Sequence, residues 1–292
     1  MEPKIGIAAG MIKIPEHVPL KLLDMVSHVT LGSYTLNPRP GNPEPNNWIH
    51  PSQNWMINAI GLKNQGVEQF IERDFERFTE IFFGKNAEFR VSLAPTGAGE
   101  LKKIVDVING HKDSALIDEL EINAACPNHK KGDAIEPVLA YDMGAVEALL
   151  EEAADYTGAK ALKIAPCTDR EKLGTLVELC EAYDIQTIVS ANTKKHTAMI
   201  DGNQVLSVES GGLSGTPLIS DTMHQVKALS NIIAERKSNL RIFACGGVMT
   251  AHEAEVLFKQ KGAAEVQIAS LFWIHGPDTI AKLITETGLR MA

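Results

Sequence analysis

Leu120-Glu121-Ile122-Asn123-Ala124-Ala125-Cys126-Pro127-Asn128 is the stretch that decides the fold. It begins as a short apolar strand and ends in two amides, a thiol and a proline. Because Pro127 has no backbone N–H to donate, strand pairing is expected to end there and the chain to turn outward. Asn123, Cys126 and Asn128 then lie at the carboxyl end of a strand, where α/β folds keep their chemistry. A buried cysteine between two turn asparagines is the alternative interpretation.

Short runs rich in valine, isoleucine and alanine alternate along the chain with segments of helical period. The predicted strands are 5–9, 27–31, 88–94, 119–123, 161–165, 187–191, 241–245 and 265–269. The predicted helices are 15–25, 66–83, 99–109, 144–157, 169–183, 221–237, 251–261 and 277–287. Apolar strands that alternate with amphipathic helices indicate a parallel sheet covered by helices.

This alternation predicts an α/β protein in which residues 1–292 form one (β/α)₈ (TIM) barrel domain. An open doubly wound sheet is the alternative. It is disfavoured because no GxGxxG motif follows the first predicted strand.

The composition excludes several classes of protein. A net charge of −9 and a pI near 5.5 argue against a nucleic-acid or anionic-membrane surface. No apolar run reaches the roughly 18 residues that a membrane span needs, and the N-terminus lacks a signal-peptide pattern. The four cysteines are widely spaced and form no CxxC pair. We therefore expect a cytoplasmic protein with reduced thiols and neither a metal site nor an iron–sulfur cluster.

Residues 35–65 interrupt the alternation. Four prolines within residues 38–45 exclude both helix and interior strand. A long irregular segment in a compact domain is usually functional, so we predict a rigid flap, inserted after strand two, over the carboxyl-terminal mouth of the barrel. A variable surface insertion is the alternative.

The residues that follow the predicted strands suggest a cofactor site. Ala8-Ala9-Gly10 is small enough for a flat ring to approach the backbone. Lys163 lies in an apolar run, where burial is costly unless the lysine meets an anionic or electron-rich partner. A snorkelling structural lysine is the alternative.

Glycine-rich turns near the C-terminus suggest a phosphate site. Gly246-Gly247 and Ala269-Ser270 follow strands seven and eight, and the run 211–215, which includes Gly212 and Gly215, precedes a helix. Barrels bind phosphate through backbone N–H groups at such turns. Together with Lys163 and the amide and thiol stretch, they predict a phosphorylated cofactor across the mouth, with the substrate above it. Asn192-Thr193, after strand six, also lies at this end.

Several motifs, in this order along the chain, resemble those of the dihydroorotate dehydrogenases. They are PRPGNPEP at 38–45, NAIGLKN at 58–64, NAACPN at 123–128, GGLSGTPL at 211–218 and CGGVMT at 245–250, followed by Gly262-Ala263 and Val266-Gln267. The resemblance implies an FMN-containing (β/α)₈ barrel that oxidises dihydroorotate to orotate in pyrimidine biosynthesis. It also implies a homodimer.

The resemblance assigns roles to individual residues. Four asparagines hold the pyrimidine in this family, and the matching positions are Asn58, Asn123, Asn128 and Asn192. Cys126 matches the general base of the cytosolic class, which removes a proton while a hydride goes to flavin N5. Thr193 matches a hydroxyl beside the substrate amide, and Lys163 the lysine that neutralises the reduced flavin. The predicted cofactor-binding residues are thus Ala8, Ala9, Gly10, Lys163, Gly212, Gly215, Gly246, Gly247 and Ser270.

Two positions depart from the family pattern. The family's lysine after strand two falls on Gly32, so a cation that reaches flavin and substrate is missing there; Lys13 offers a replacement. Ala269 stands where glycine or tyrosine is commoner.

Three alternative functions therefore stay open. They are a flavoenzyme for another dihydropyrimidine or cyclic amide, a non-catalytic FMN-binding subunit or sensor, and a flavin-free barrel isomerase. Fumarate, quinone and NAD are all possible electron acceptors, and NAD would require a separate electron-transfer subunit.

Overall fold

Eight parallel strands form a closed barrel in the computed structural model, which describes residues 4–125, 130–131, 134–135 and 142–287. Consecutive strands are neighbours, and the last strand pairs with the first. The barrel strands are β1 (Lys4–Ile12), β2 (His28–Tyr34), β3 (Glu88–Leu93), β4 (Glu119–Asn123), β5 (Lys160–Ile164), β6 (Thr187–Ser190), β7 (Arg241–Cys245) and β8 (Glu265–Ile268). All eight strands and the (β/α)₈ barrel were predicted, and both predictions are confirmed.

Helices cover the outside of the barrel and bury an apolar stripe against it. In the helix Glu100–Asn109, for example, Leu101, Ile104, Val105 and Ile108 are buried at helical spacing. The other α- and π-helical segments are Val67–Gln69, Phe70–Asp74, Phe75–Phe82, Met143–Glu152, Arg170–Ala182, Ile219–Arg236, Ala251–Val256, Leu257–Lys261, Ser270–His275 and Asp278–Thr287.

One helix prediction is wrong, and one helix of the structure was not predicted. The continuous helix at 15–25 is wrong, because this segment forms only the short 3₁₀ turns Pro15–His17 and Leu20–Leu22. Pro19 separates them, since proline supplies no N–H to an intrahelical hydrogen bond. The helix Ser270–His275 was not predicted, because its six residues are too few to show a helical period.

The proline-rich insertion takes part in a second, antiparallel sheet, which we call the flap sheet. Its four strands, in spatial order, are Lys194–Thr197, Ser210–Gly215, Trp55–Asn58 and Asn47–Ile49. The prediction of a glycine-rich turn at 211–215 is therefore wrong. Gly211 and Gly212 serve close packing instead, since added Cβ atoms would lie 2.7 Å from Asn58 O and 2.2 Å from Thr193 Oγ1.

The amino-terminal end of the barrel is closed by five buried side chains, which we call the barrel floor (His28, Arg90, Glu119, Phe243 and Glu265). Arg90 is 1% exposed, and its guanidinium nitrogens lie 3.5 Å from Glu119 Oε1 and 3.5 Å from Glu265 Oε1. The guanidinium also lies over the Phe243 ring, 4.6 Å from its centroid. His28 Nδ1 is 2.7 Å from Glu265 Oε2. Desolvated charges are tolerated here because each has an opposite charge beside it.

Glu265 makes the barrel floor sensitive to acid. Burial alone would raise the pKa of Glu265, but the hydrogen bond and the charge of His28, followed by the charge of Arg90, lower it to about 2. A carboxyl whose pKa is depressed on folding stabilises the fold above its unfolded pKa, and this contribution is lost as the pH falls towards the folded value. The shift corresponds to about 3 kcal/mol.

We expect Glu265→Gln to lower the free energy of unfolding by about 3 kcal/mol at pH 7. Urea unfolding should show that the difference in free energy of unfolding between variant and wild type is about 1 kcal/mol smaller at pH 3.5 than at pH 7. At pH 3.5, Glu265 of the unfolded wild-type chain is already mostly protonated. Glu72→Gln, at an exposed position, is the control and should change little. A difference that stays constant with pH would contradict this account.

Candidate active site

A cavity of about 1230 Å³ lies at the carboxyl ends of the barrel strands. Strand ends line one side of it, through Ala9, Asn123, Lys163 and Gln267 among others, and residues of the 35–65 insertion and the flap sheet line the other. The insertion thus covers the mouth of the barrel, as predicted. A concave site at this end of a (β/α)₈ barrel is the usual location of the active site.

Most of the predicted cofactor-binding residues line this cavity. They are Ala8, Ala9, Gly10, Lys163, Gly212, Gly246, Gly247 and Ser270. Gly215 lies outside the lining. Its φ is +91°, and an added Cβ would lie 2.3 Å from Asn54 O, so the close approach of two flap-sheet strands accounts for this glycine.

The turn after β7 brings the backbone to the cavity surface. Gly246 and Gly247 have φ values of +123° and +83°. Added Cβ atoms would lie 2.8 Å from Thr222 Oγ1 and 2.4 Å from Ile219 N, respectively. Only glycine can hold this turn against the helix Ile219–Arg236. The result is a surface without side chains, which an anionic group can approach through backbone amides.

Lys163 is buried next to two titratable groups. Its Nζ lies 3.6 Å from Glu121 Oε1, and both side chains are at most 5% exposed. Burial opposes the charged form, but the carboxylate of Glu121 and the neighbouring Cys245 together raise the pKa of Lys163. The pKa of Cys245 is raised by burial, which Lys163 only partly offsets. The site therefore places a cation, not a thiolate, at the base of the cavity.

Three of the four predicted substrate asparagines lie around the cavity. Asn192 Nδ2 donates to Asn123 Oδ1 at 3.3 Å, and Asn123 Nδ2 donates to Ser33 Oγ at 3.2 Å. Asn58 reaches the cavity from the flap sheet, where its Nδ2 is 3.4 Å from Gly212 O. Thr193 also lines the cavity. Amides from the barrel and from the flap sheet thus surround the same space.

Cys126 and Asn128 lie outside the described residues, so their predicted roles stay predictions. The other three cysteines, Cys167, Cys180 and Cys245, are buried, as expected for packed thiols.

The structure explains why the expected lysine is absent at Gly32. This residue has a φ of +96°, and an added Cβ would lie 2.6 Å from Ser92 O. No side chain fits there without moving the backbone of β3.

Lys13, the suggested replacement, does line the cavity. Its Nζ donates to Lys63 O at 2.6 Å. Burial, together with the charge of Lys63, lowers the pKa of Lys13 to about 8. A protonated lysine has three donors, so two remain for a ligand.

Three residues of the site had no role in the sequence-based prediction. Ser33 bonds to Asn123, Glu121 pairs with Lys163, and Gln267 lines the cavity with an Oε1 that lacks a hydrogen-bond partner among the described residues. The alternation along the barrel strands could have identified two of them, because Glu121 and Gln267 lie two residues from the inward-facing Glu119 and Glu265.

A family model described as dihydroorotate dehydrogenase matches residues 2–291. This chain belongs to the dihydroorotate dehydrogenase family. The family resemblance of the motifs is thereby confirmed, and the family is flavin-dependent.

Three similar proteins are named dihydroorotate dehydrogenase (quinone). The protein from Delftia acidovorans is 27% identical over 99% of this chain and 82% of its own length. The corresponding values are 27%, 97% and 81% for Dechloromonas aromatica, and 28%, 96% and 81% for Ectopseudomonas mendocina. These names carry the word quinone, whereas Cys126 led us to expect the cytosolic class.

Within 4–125, 130–131, 134–135 and 142–287, no helix has the length and apolar character needed to cross a membrane. The same residues contain no group of three or more histidine, cysteine, aspartate or glutamate side chains arranged to hold a metal ion.

We expect Gly32→Ala to destabilise the fold by about 1–3 kcal/mol, because it forces a Cβ against Ser92 O at a positive φ. Gly174→Ala is the matched control. Gly174 lies within the helix Arg170–Ala182, and an added Cβ there meets nothing within 4 Å. This control should be neutral or stabilising by up to about 1 kcal/mol. Equal melting temperatures for Gly32→Ala and wild type would contradict the conclusion that no side chain fits at Gly32.

Proposed function

We propose that this protein is an FMN-dependent enzyme that oxidises dihydroorotate to orotate in pyrimidine biosynthesis. The observation that carries the proposal is the cavity at the mouth of the barrel, where Asn58, Asn123 and Asn192 lie with Lys163 in a chain of this family. Amides pair with the ring N–H and C=O groups of a pyrimidine, and a lysine stabilises negative charge on a reduced cofactor.

The cavity has the features that FMN requires. Ala8, Ala9 and Gly10 offer a surface of small residues to a flat ring. The turn at Gly246-Gly247 offers backbone to a phosphate, and Ser270 adds a hydroxyl nearby. Gln267 Oε1, which has no hydrogen-bond partner in the described part of the chain, can accept a hydrogen bond from a ring N–H. Bound FMN would supply the hydride acceptor of the reaction.

The asparagines orient the substrate. Asn123 and Asn192 are linked by a hydrogen bond, so their amides have a fixed relative position before the substrate arrives. Asn58 approaches from the flap sheet, and Asn128 is the fourth predicted member. Holding the dihydropyrimidine ring on several sides selects the geometry in which the proton and the hydride face their acceptors.

Cys126 is the proposed general base, on the family resemblance. A thiol can remove the substrate proton only when it is partly ionised, so its pKa has to lie near neutral. Cys245 is not an alternative base, since burial raises the pKa of that thiol.

The electron acceptor, the compartment and the assembly belong to this proposal as well. The names of the relatives favour a quinone as acceptor, and the presence of Cys126 favours the cytosolic class. Adding a quinone analogue, fumarate or NAD to the substrate-reduced enzyme shows which of these acceptors reoxidises it. NAD would require a partner subunit. We retain a single domain over residues 1–292, a cytoplasmic location and a homodimer as proposals.

The first test is an anaerobic visible spectrum before and after addition of dihydroorotate. We expect a flavin band that bleaches, and Cys126→Ser should slow the bleaching by about 10²–10⁴-fold. Cys167→Ser, at a buried cysteine outside the cavity lining, is the control and should bleach at the wild-type rate.

Two results would change the proposal. A flavin that ignores dihydroorotate but is reduced by dithionite would favour another dihydropyrimidine or cyclic amide as substrate, or a non-catalytic flavin protein. Failure to bind FMN on reconstitution would overturn it.

We expect Lys13→Gln to raise the KM for dihydroorotate about tenfold or more, because a charged donor to the substrate carboxylate is lost. In the wild type, KM should rise above pH 8, where Lys13 loses its proton, since its pKa is about 8. This rise should be absent from Lys13→Gln. The control is Lys21→Gln at an exposed position. Parallel pH profiles of KM for Lys13→Gln and wild type would exclude contact with the substrate.

A further inference from the structure

Beneath the cavity, Glu121 on β4 and Lys163 on β5 form a buried ion pair. Glu121 is 2% exposed and Lys163 is 4% exposed, and 3.6 Å separates Oε1 from Nζ. Lys163 lines the cavity, whereas Glu121 is not among the lining residues. The pair therefore has one member that a bound molecule can touch and one member behind it.

The surroundings leave Glu121 with a single stabilising charge. Among the described residues, neither of its carboxylate oxygens has a hydrogen-bond partner. Glu265 in the barrel floor, by contrast, accepts from Ser27 and contacts both His28 and Arg90. Burying a carboxylate without hydrogen-bond donors is costly. A carboxylate with a purely structural role is therefore expected to have hydrogen-bond donors around it.

Two titratable groups act on Lys163 from the packed strands, Glu121 on β4 and Cys245 on β7. Its partner in register on β4 is Asn123, and on β6 it is Val189, which are both uncharged. The pKa of Cys245 is raised by burial, so this side chain is a neutral thiol near pH 7. Glu121 is therefore the counter-ion of Lys163.

We propose that Glu121 is a positioning residue that keeps Lys163 protonated and directed at the cavity before any negative charge arrives there. This inference rests on the proposed function, in which Lys163 stabilises a reduced cofactor. An oxidised flavin ring is uncharged and gives a buried lysine no reason to keep its proton. With Glu121 behind it, the cation is already present when the reduced, negatively charged cofactor forms.

The charge state of Lys163 can be measured without cofactor. In Glu121→Gln, no carboxylate opposes the lowering of the Lys163 pKa by burial. The pKa of Lys163 in the folded protein therefore falls below its value in the unfolded chain. The unfolded chain then binds more protons, so stability rises with pH. Between pH 7 and 9.5, we expect the unfolding equilibrium constant of this variant to fall relative to wild type, by up to about tenfold per pH unit.

Further variants make the test specific to this pair. Glu121→Asp retains the carboxylate and should show little of this slope. The double variant Glu121→Gln/Lys163→Met has no titrating lysine and should show none. Cys245→Ser removes the other titratable neighbour and should also show none. Lys163→Met removes the cation beside Glu121, so the stability of this variant should rise as the pH falls. This pH dependence is opposite in sign to that of Glu121→Gln. This last variant retains the test if Glu121→Gln does not fold.

Reconstitution with FMN supplies the second readout. The two-electron reduction potential of Glu121→Gln should become more negative than wild type with rising pH, and this added dependence should vanish in the double variant. If wild-type protein binds no FMN, the proposed function fails while the stability measurement still reports on the pair. If Glu121→Gln, or Lys163→Met in its place, shows the wild-type pH dependence of stability, the inference is overturned.

Discussion

The interaction on which the structure depends is the contact of Arg90 with the two carboxylates of the barrel floor. Arg90, Glu119 and Glu265 come from three different strands, so their attraction ties distant parts of the barrel together. His28 completes this layer only because the neighbouring strand has Gly6, where an added Cβ would lie 2.1 Å from the imidazole. The floor is therefore closed, and the open end of the barrel is left for chemistry.

Above the floor, the barrel interior contains the Glu121–Lys163 ion pair and the amide of Gln267. The carboxylates of the floor have hydrogen bonds and charge partners. One step along the strands, Glu121 and Gln267 have oxygen atoms without hydrogen-bond partners among the described residues. Polar groups buried in this way are rare in stable cores and are commonest at functional sites. Among the described residues, the side-chain oxygens of these strands thus accept hydrogen bonds at the floor and not beneath the cavity, although His28 Nε2 and Arg90 Nη1 of the floor also lack partners.

The sequence predicted the barrel well, because its strands are apolar runs separated by helical periods, and both patterns are local. It failed where the outcome depends on distant segments. The run 211–215 contains glycines that resemble a turn, yet it forms a strand because Trp55–Asn58 lies beside it. In the candidate site, too, contacts between distant segments could not be predicted from local sequence patterns. The strand-end residues Lys163, Asn123 and Asn192 could be predicted, whereas the Glu121–Lys163 contact needs the barrel register.

The flap sheet has a consequence for the order in which the chain folds. Asn58 and Gly212 pair across a sequence separation of 154 residues. Contacts of such long range form slowly, because the intervening chain loses entropy before the contact can stabilise it. Closure of the barrel is of still longer range, since β1 pairs with β8 at Lys4 and Glu265. We therefore expect both the barrel closure and the flap sheet to form late, after the local strand and helix units. Until the flap sheet forms, the mouth of the barrel is open to a large cofactor.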